Sequence, residues 1–335
     1  MATQQASSEL LRLINGFQIS RMIQVAASLG VADLLKDGPR SSDEIAVATE
    51  AHPRSMYRLL HALAATGVLN EKADACFSLT DVGECLRSDS PHTHAAWARA
   101  VDRASVWNSW GALRHSVMTG EDAFRHLHGT GVWDWRAERP EETAIFDAAM
   151  TEMSLGVADA IGEALDFSGF GCIVDIGGGQ GALLAHILKR NPASSGILYD
   201  LPHVVAGAPF VLRAHGVADR CEVIGGDMFR SVPVGGDAYL IKSVLIDEED
   251  ARACELLRRC RSVIGASGRL IAIDMLATEP NRPDPGLLDM TMLVMTGGRK
   301  RTLTEFSALF GESGFRLERS VDSQSPFTLL IGAPV

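Results

Sequence analysis

The stretch that decides the fold is GCIVDIGGGQGALLAHILKRNPASSGILYD, residues 171–200. It reads in order as a strand, a glycine loop, a helix and a second strand that ends in Asp200. The strand closes on Asp175, and an amphipathic run from Ala182 to Lys189 follows the loop. The glycines of the loop are Gly177, Gly178, Gly179 and Gly181. Such a loop lets a ligand meet bare backbone amides at a helix N-terminus, so the stretch predicts a nucleotide-type cofactor site.

Two acids decide which cofactor is expected. Asp200 lies about twenty residues beyond the loop, where a carboxylate binds the ribose hydroxyls of an adenosine. Gly177, Gly179 and Ala182 also match a degenerate dinucleotide pattern, G-x-G-x-x-A. Asp175, however, would repel a pyrophosphate and attract an ammonium group. S-adenosylmethionine has an ammonium, a sulfonium and no phosphate, and is therefore favoured over a nicotinamide or a flavin.

A third acid lies in the segment GGDMF, residues 225–229. Asp227 follows a short apolar strand and is placed to accept a hydrogen bond from an adenine amino group. Met228 and Phe229 are then expected to flank the base. The alternative is that Asp227 caps a loop and Phe229 belongs to the core.

The amino-acid composition limits the classes of protein to which the chain can belong. The 335 residues are 46% hydrophobic, enough for two domains with substantial cores, and the formal net charge is −11. This charge disfavours a nucleic-acid partner. The six cysteines are far apart with no C-x-x-C pair, so we expect reduced thiols and no metal site. The absence of a signal segment or long apolar run predicts a soluble, cytoplasmic protein without membrane association.

The first half of the chain has helical periodicity and the second half alternates strands with helices. Apolar spacing predicts helices over residues 10–35, 41–51 and 52–66, with a cap at Ser41 or Ser42 and a stop at Gly67, and then a short strand from Cys76 to Leu79. This order is that of a winged helix, a module that often binds DNA. Residues 1–100 contain nine Lys/Arg and eleven Asp/Glu, which disfavours that use. Burial in a homodimer is the natural alternative, and simple intrachain packing is the other.

The segment from Ala95 to Ser154 is predicted to be helical and is rich in large apolar side chains. Such a stripe often belongs to a core, but its place before the cofactor loop suits the lining of an acceptor pocket. Its large side chains are Trp97, Trp107, Trp110, Met118, Phe124, Trp133, Trp135, Phe146, Met150 and Met153.

Beyond Asp227 the alternation continues and predicts a parallel sheet covered on both faces. The predicted strands are Asp237 to Leu245, Arg269 to Met275, Phe315 to Ser320 and Pro326 to Ile331, and the predicted helices are Glu248 to Ile264 and Thr304 to Gly311. Ligands bind at the carboxyl ends of such strands, so the acids there are expected to converge.

In these motifs the chain resembles the class I S-adenosylmethionine-dependent methyltransferases of the caffeate, acetylserotonin and hydroxyneurosporene type. Among them it is similar to the bacterial phenazine-type enzymes. The resemblance rests on VDIGGGQG, YDLP, GGDMF, LIKSVLIDEED, GRLIAIDM and RTLTEF in that order. It implies an α/β fold with a Rossmann-like, mostly parallel seven-stranded sheet and an N-terminal winged-helix dimerisation domain. The expected boundaries are residues 1–95 for dimerisation, 96–160 for a helical pocket-lining linker and 161–335 for donor binding. It also implies a homodimer and a small aromatic acceptor.

The residue patterns and the resemblance together assign two sets of site residues. The expected contacts of S-adenosylmethionine, or of its product S-adenosylhomocysteine, are Ser154, Asp175, Gly177, Gly179, Gly181, Asp200, Leu201, Gly226, Asp227, Met228, Phe229, Lys242 and Ser243. The expected acceptor pocket consists of Trp107, Phe124, Trp133, Phe146, Met150, Ile246, Met290 and Met295.

One departure from the family pattern bears on the chemistry. Where relatives have a histidine that deprotonates an acceptor hydroxyl, this chain has Ile246, and the acid that assists the histidine is replaced by Lys300. Methyl transfer from a sulfonium is an in-line displacement that positioning alone can accelerate, whereas a general base adds roughly 10² to 10⁴. A ring nitrogen has no proton to lose, so we favour N-methylation, or O-methylation of an acidic phenol by proximity.

Several alternatives remain open at this stage. Asp247 is the first candidate for a replacement catalytic group. Other candidates are Glu248, His115, His126 and His128. The basic run 299–301 either binds an acceptor carboxylate or is a solvated patch. An enzyme of this fold can also lose methyl transfer and catalyse hydroxylation, decarboxylation or a pericyclic reaction.

Overall fold

A computed structural model describes residues 2–278 and 287–335 of the chain. The chain divides into two compact units, Met1–Trp107 and Asn108–Val335. The three predicted domain boundaries stay predictions, since the second unit begins inside the segment expected to be a linker. No helix among the described residues is long and apolar enough to cross a membrane.

The first unit is mostly helical and carries a small antiparallel sheet in the order β1-β3-β2. Its helices are α1 (Ala2–Ile14), α2 (Gly16–Ser28), α3 (Val31–Leu34), α4 (Ser42–Ala48), α5 (Pro53–Ala65), α6 (Asp81–Glu84) and α7 (Ala95–Val101). Its strands are β1 (Arg40–Ser41), β2 (Leu69–Lys72) and β3 (Cys76–Leu79), with a 3₁₀ turn at Ala73–Ala75. The helix α8 (Ala104–Gly111) contains the boundary between the units.

Local sequence signals explain where these helices begin and end. Ser41 is the N-cap of α4 and forms a reciprocal capping box with Glu44, as its position predicts. Gly67 takes a φ of +82° after α5. The helical periodicity predicted over residues 10–35 forms three helices, because Asn15 separates α1 from α2 and Gly30, with a φ of +66°, separates α2 from α3.

The second unit is built on a seven-stranded sheet in the order β6-β5-β4-β7-β8-β10-β9. Its strands are β4 (Cys172–Ile176), β5 (Ser195–Asp200), β6 (Cys221–Gly225), β7 (Ala238–Lys242), β8 (Arg269–Asp274), β9 (Phe315–Asp322) and β10 (Thr328–Pro334). Strands β4 to β8 are parallel, and β10 is antiparallel to both β8 and β9. The predicted mostly parallel seven-stranded sheet is confirmed.

Helices of the second unit precede the sheet and connect its strands. They are α9 (Leu113–Thr119), α10 (Ala123–His128), α11 (Val132–Ala137), α12 (Pro140–Ala164), α13 (Ala182–Arg190), α14 (Pro202–Val205), α15 (Ala208–Ala214), α16 (Asp250–Val263), α17 (Leu288–Met295) and α18 (Leu303–Glu312), with 3₁₀ turns at Ala218–Arg220 and Leu245–Asp247. One apolar core includes Leu184 and Leu240, and the other includes Tyr239 and Leu257. The neighbours Tyr239 and Leu240 on β7 therefore point to opposite cores, as expected for a sheet buried on both faces.

The end of β7 differs from its prediction in a way that matters for the site. The apolar run predicted a strand from Asp237 to Leu245, but the strand ends at Lys242. Ser243 then takes a left-handed backbone with a φ of +54°, and the 3₁₀ turn at Leu245–Asp247 follows. A left-handed L-residue is rare and is typical of functional sites.

Candidate active site

The glycine loop joins β4 to α13 with three left-handed residues. Gly177, Gly179 and Gly181 have φ values of +67°, +61° and +81°. The loop is also tightly packed, since a Cβ on Gly177 would lie 2.6 Å from Cγ2 of Val244. Only glycine combines these conformations with this close approach, so the loop presents backbone rather than side chains at the carboxyl edge of the sheet.

Asp200, at the end of β5, holds the loop in place. One carboxylate oxygen accepts a hydrogen bond of 2.8 Å from the amide of Gly179, and the other accepts one of 2.6 Å from the amide of Leu201. Burial raises the pKa of Asp200, and these two amide bonds oppose the rise. Each carboxylate oxygen has further acceptor capacity, which suits the recognition of two ribose hydroxyls.

The segment after β6 lies next to Asp200. The amide of Gly226 donates to the carbonyl of Asp200 at 2.9 Å, and Asp227 accepts a hydrogen bond of 2.8 Å from the amide of Phe229. The guanidinium of Arg252 stacks 3.6 Å from the centroid of the Phe229 ring. The ring is thus held on one side, while a half-exposed acid stands two residues before it.

Lys242, at the end of β7, links the sheet edge to α12. Its ammonium donates to Oγ of Ser154 at 3.4 Å and lies 4.7 Å from the ring centroid of Phe327. Burial lowers the pKa of Lys242, while the charges of Asp175 and Asp274 oppose this. The helix makes a second connection at the loop, where Nε2 of Gln180 lies 3.5 Å from a carboxylate oxygen of Asp147.

Asp175 lies beneath the glycine loop rather than at its surface. Its side chain is 1% exposed, and Oδ1 has no hydrogen-bond partner among the described residues. Burial raises the pKa of Asp175 to about 7, Lys242 lowers it and Asp200 raises it. A buried carboxylate oxygen without a partner indicates a site for a hydrogen-bond donor from a ligand. The acids at the strand ends and the glycine loop fit a cationic adenosine cofactor better than one with a pyrophosphate.

On the acceptor side, Trp133 and Phe146 pack edge to face with ring centroids 5.6 Å apart. Phe124 is fully enclosed and contacts the rings of His128 and Trp135. Met150 lies on α12, Met290 and Met295 lie on α17, and α17 packs against α10. Trp107 belongs to the first unit, where its indole donates to Gln24 at 2.8 Å.

Position 246 is occupied by a buried hydrocarbon. Ile246 is 3% exposed on the 3₁₀ turn after β7, and a Cβ on Gly298 would lie 2.1 Å from its carbonyl oxygen. The next residue, Asp247, has its pKa raised well above the usual value, first by burial and then by Glu248 and Asp274. A carboxyl in this state is protonated until the pH exceeds its raised pKa, which limits its use as a base.

The basic run at 299–301 forms neither a simple solvated patch nor an open anion site. Arg301 is 1% exposed and donates to the carbonyls of Leu245 and Glu248 and to Asp250. Arg299 pairs with Asp250 and Glu305. Lys300 is buried and its amide donates to Asp289 at 2.7 Å. Arg301 therefore supports the turn that carries position 246, and Arg299 bonds to the first residue of α16, which follows that turn.

The three candidate histidines separate into two groups. His115 and His126 stack with centroids 3.6 Å apart, and Nε2 of His115 lies 2.9 Å from a carboxylate oxygen of Glu121. His128 packs with the rings of Phe124 and Trp135.

Sequence reasoning missed Arg136. This residue lies on α11 with its guanidinium carbon 3.6 Å from the ring centroid of Phe146 and 5.3 Å from that of Trp133. Burial lowers its pKa to about 10, and Asp247, Asp147 and Glu142 oppose the shift. The available signal was an arginine directly after Trp135, in a segment predicted to line the acceptor pocket.

Comparison with known proteins agrees with this geometry. The family model of the O-methyltransferase domain matches residues 110–316, and that of the O-methyltransferase dimerisation domain matches residues 11–89. The chain is 38% identical to the phenazine O-methyltransferase PhzM of Lysobacter antibioticus over 98% of this chain and 96% of that protein. It is 35% identical to the 8-amino-8-demethylriboflavin N,N-dimethyltransferase of Streptomyces davaonensis, over 92% and 90%.

A solved structure extends the comparison to the donor. Human N-acetylserotonin methyltransferase in complex with S-adenosylmethionine matches with a TM-score of 0.90 and 25% identity, covering 98% of each chain. The expected resemblance, fold and cofactor are thereby confirmed. The chain belongs to the O-methyltransferase family with an N-terminal dimerisation domain and is an S-adenosylmethionine-dependent methyltransferase.

Proposed function

We propose that the enzyme transfers the donor methyl group to a ring nitrogen or a hydroxyl of a small aromatic secondary metabolite. We further propose that it does so by positioning the two reactants, without a histidine base. The observation that carries this proposal is the buried side chain of Ile246 at the position where relatives are expected to carry that base. A hydrocarbon there can shape the acceptor site but cannot accept a proton.

The surroundings of Ile246 support positioning over proton transfer. Asp247 is the nearest carboxyl in the sequence, and burial holds its pKa well above the usual value, so it stays protonated over a wider pH range. Arg301 fixes the backbone of this turn through the carbonyls of Leu245 and Glu248. A rigid apolar wall suits a reaction whose rate depends on holding a lone pair about 3 Å from a methyl carbon.

The donor half of the proposal rests on the strand-end residues. Asp200 would bind the ribose, Asp227 the adenine amino group, and Met228 and Phe229 the faces of the base. Gly177, Gly179 and Gly181 would leave room for the methionine portion, while Lys242, Ser243 and Ser154 would border it. Asp175, with its unpartnered oxygen, would supply negative potential beneath the cationic end of the donor.

The acceptor half rests on the packed rings of Trp133 and Phe146 and on the apolar side chain of Met150, one turn further along α12. Relatives named for O-methylation of a phenazine and for N,N-dimethylation of an aminoriboflavin support an aromatic acceptor and leave both acceptor atoms possible.

The test is label transfer. Purified enzyme is incubated with methyl-labelled S-adenosylmethionine and a panel of phenazines, quinolines and polyketide phenols, and products are located by mass spectrometry and NMR. We expect label on a ring nitrogen or an acidic hydroxyl of a planar acceptor. Donor binding with no label transferred to any acceptor that binds would contradict the proposal and favour a relative that has lost methyl transfer.

A further inference from the structure

The side chain of Arg136 is a charged group set among the aromatic rings of the predicted acceptor wall. Its guanidinium carbon lies 3.6 Å from the centroid of Phe146, a distance at which the cation lies on the ring. The ring of Trp133, which meets Phe146 edge to face, has its centroid 5.3 Å from the same guanidinium carbon. The cation therefore contacts two rings of the predicted acceptor wall.

The hydrogen-bonding capacity of this guanidinium is unused. Across residues 2–278 and 287–335, it makes neither a hydrogen bond nor a close ion pair. A guanidinium has five N–H donors in a planar fork, and a half-buried one without acceptors leaves those donors for water or a ligand. By contrast, the guanidinium groups of Arg301 and Arg299 donate hydrogen bonds to backbone carbonyls and side-chain carboxylates of the protein.

The charges around Arg136 restrict what can bind. Asp247, Asp147 and Glu142 act on it electrostatically, yet none of these three described carboxylates forms an ion pair with it. Whichever of these carboxyl groups is ionised would repel a phosphate dianion more strongly than a singly charged carboxylate. The planar fork matches a carboxylate in a bidentate arrangement, and the rings beside it match an aromatic plane.

We propose that Arg136 binds the carboxylate of an acceptor that is a planar aromatic acid. This inference rests on the proposed function and narrows its acceptor to one chemical class. It also replaces the basic run 299–301 as the carboxylate site, because the two arginines of that run are engaged in the fold. The donor also has a carboxylate, so the experiment must separate the two sources.

The test compares matched acids and amides. Phenazine-1-carboxylic acid and its carboxamide, with the corresponding quinoline and naphthalene pairs, are titrated into the S-adenosylhomocysteine complex, with binding followed by tryptophan fluorescence and calorimetry. Charge-assisted hydrogen bonds typically change affinity tenfold to about a hundredfold. We expect the wild-type protein to bind at least one acid tenfold or more tightly than its amide.

Variants assign that preference to one residue. Arg136→Met is expected to bring the acid down to the affinity of the amide, and Arg136→Lys is expected to retain part of the difference. Arg139→Met is the matched control, since Arg139 lies 4.3 Å from the centroid of Trp135 but spends a donor on the carbonyl of that residue. The control should keep the full preference. Melting curves check that each variant is folded.

Several results would overturn the proposal. These are a wild-type protein that binds no acid of the panel or shows no preference for the acid, a preference that survives in Arg136→Met, and an equal loss of acid and amide binding. A weakened affinity of Arg136→Met for S-adenosylhomocysteine alone would assign the residue to the donor carboxylate and would equally overturn it. Failure of the proposed function would give a different result: the acid would bind with the expected preference, but no methyl group would be transferred to it.

Discussion

The carboxylate of Asp200 accepts a hydrogen bond of 2.8 Å from the backbone amide of Gly179, and this contact ties the end of β5 to the glycine loop. The same carboxylate holds the amide of Leu201 at 2.6 Å with its other oxygen. One side chain therefore fixes the shape of the donor site and is also the residue predicted to bind the ribose. Its replacement should affect both functions.

For Asp200→Asn, we expect the dissociation constant of S-adenosylhomocysteine to rise by tenfold to a hundredfold. The amide has only one acceptor oxygen, so an N–H of the loop and a ribose hydroxyl lose charged acceptors worth about 1.5–3 kcal/mol. Calorimetry measures the change. Asp219→Asn, at an exposed position in the 3₁₀ turn before β6, serves as the control. Unchanged affinity in Asp200→Asn would remove Asp200 from the donor site.

The pH dependence of the rate tests the role of Asp247. Burial raises its pKa, so a mechanism that uses it as a base would gain rate as the pH rises through that pKa. Positioning alone needs no such titration. We expect Asp247→Asn to lower kcat by less than about tenfold and to leave the shape of the pH profile unchanged. A loss of roughly 10² or more, with the rising limb abolished, would make Asp247 the base.

Asp274 predicts an unusual pH dependence of stability. It is 2% exposed at the end of β8, and burial raises its pKa to about 7 from an ordinary value of 3.8. An acid whose pKa is raised on folding binds its proton more tightly in the native state, so its contribution to stability falls as the pH rises from about 4 through 7. The side chain of Asn cannot ionise, so the Asp274→Asn variant does not lose this stability as the pH rises.

We therefore expect Asp274→Asn to gain melting temperature relative to the wild type as the pH increases over that range. The amide keeps an acceptor for the amide of Met275, which donates to Asp274 at 3.0 Å. Asp219→Asn should show no such trend. A difference in melting temperature that shrinks with increasing pH would mean that Asp274 stabilises the fold in its ionised form, through Lys242 and Arg301.

Exposed apolar side chains in the first unit indicate a surface for contact between two subunits. A cluster of large apolar side chains in α1 and at the start of α2 is more than half exposed, and the dimerisation family model begins within α1, at residue 11. The cluster consists of Leu10, Leu11, Leu13, Ile14 and Phe17. Exposed apolar surface of this kind is typical of an interface between subunits. We expect the protein to be a homodimer through this surface.

Light scattering coupled to size exclusion tests this expectation. The double variant Leu13→Glu, Ile14→Glu should elute as a monomer, since burying two carboxylates in an apolar interface is strongly unfavourable. Val47→Glu, at an exposed position on α4, should remain dimeric. A monomeric wild type, or a dimer that tolerates both glutamates, would rule out this surface.

The local sequence pattern is sufficient to predict the part of the fold that forms the cofactor site. The order of strand, glycine loop, helix and strand over residues 171–200 can be predicted because each element has its own periodicity and the glycines mark the turn. The capping box at Ser41 and the strand at Cys76–Leu79 follow from the same kind of signal. In each case the deciding information lies within a few neighbouring residues.

Tertiary contacts decide the rest. The apolar run after Lys242 gives no sign that Ser243 turns left-handed, because that conformation depends on the packing of β7 against β8, where the amide of Ser243 donates to Ile273. A single Arg136 in a helical run resembles any surface arginine until α11 packs on α12 and places it on Phe146. Arg301 likewise resembles a surface residue in the sequence but is buried.

The most direct measurement of the central claim is the single-turnover rate of methyl transfer by Ile246→His compared with the wild type on the native acceptor. The two enzymes are compared with saturating donor, and binding of both ligands is measured separately. If positioning alone drives transfer to a ring nitrogen, the introduced imidazole has no proton to remove and the rate should stay within about threefold. A rise of roughly tenfold or more, the low end of general-base catalysis, would show that the reaction was limited by a missing base and would contradict the account.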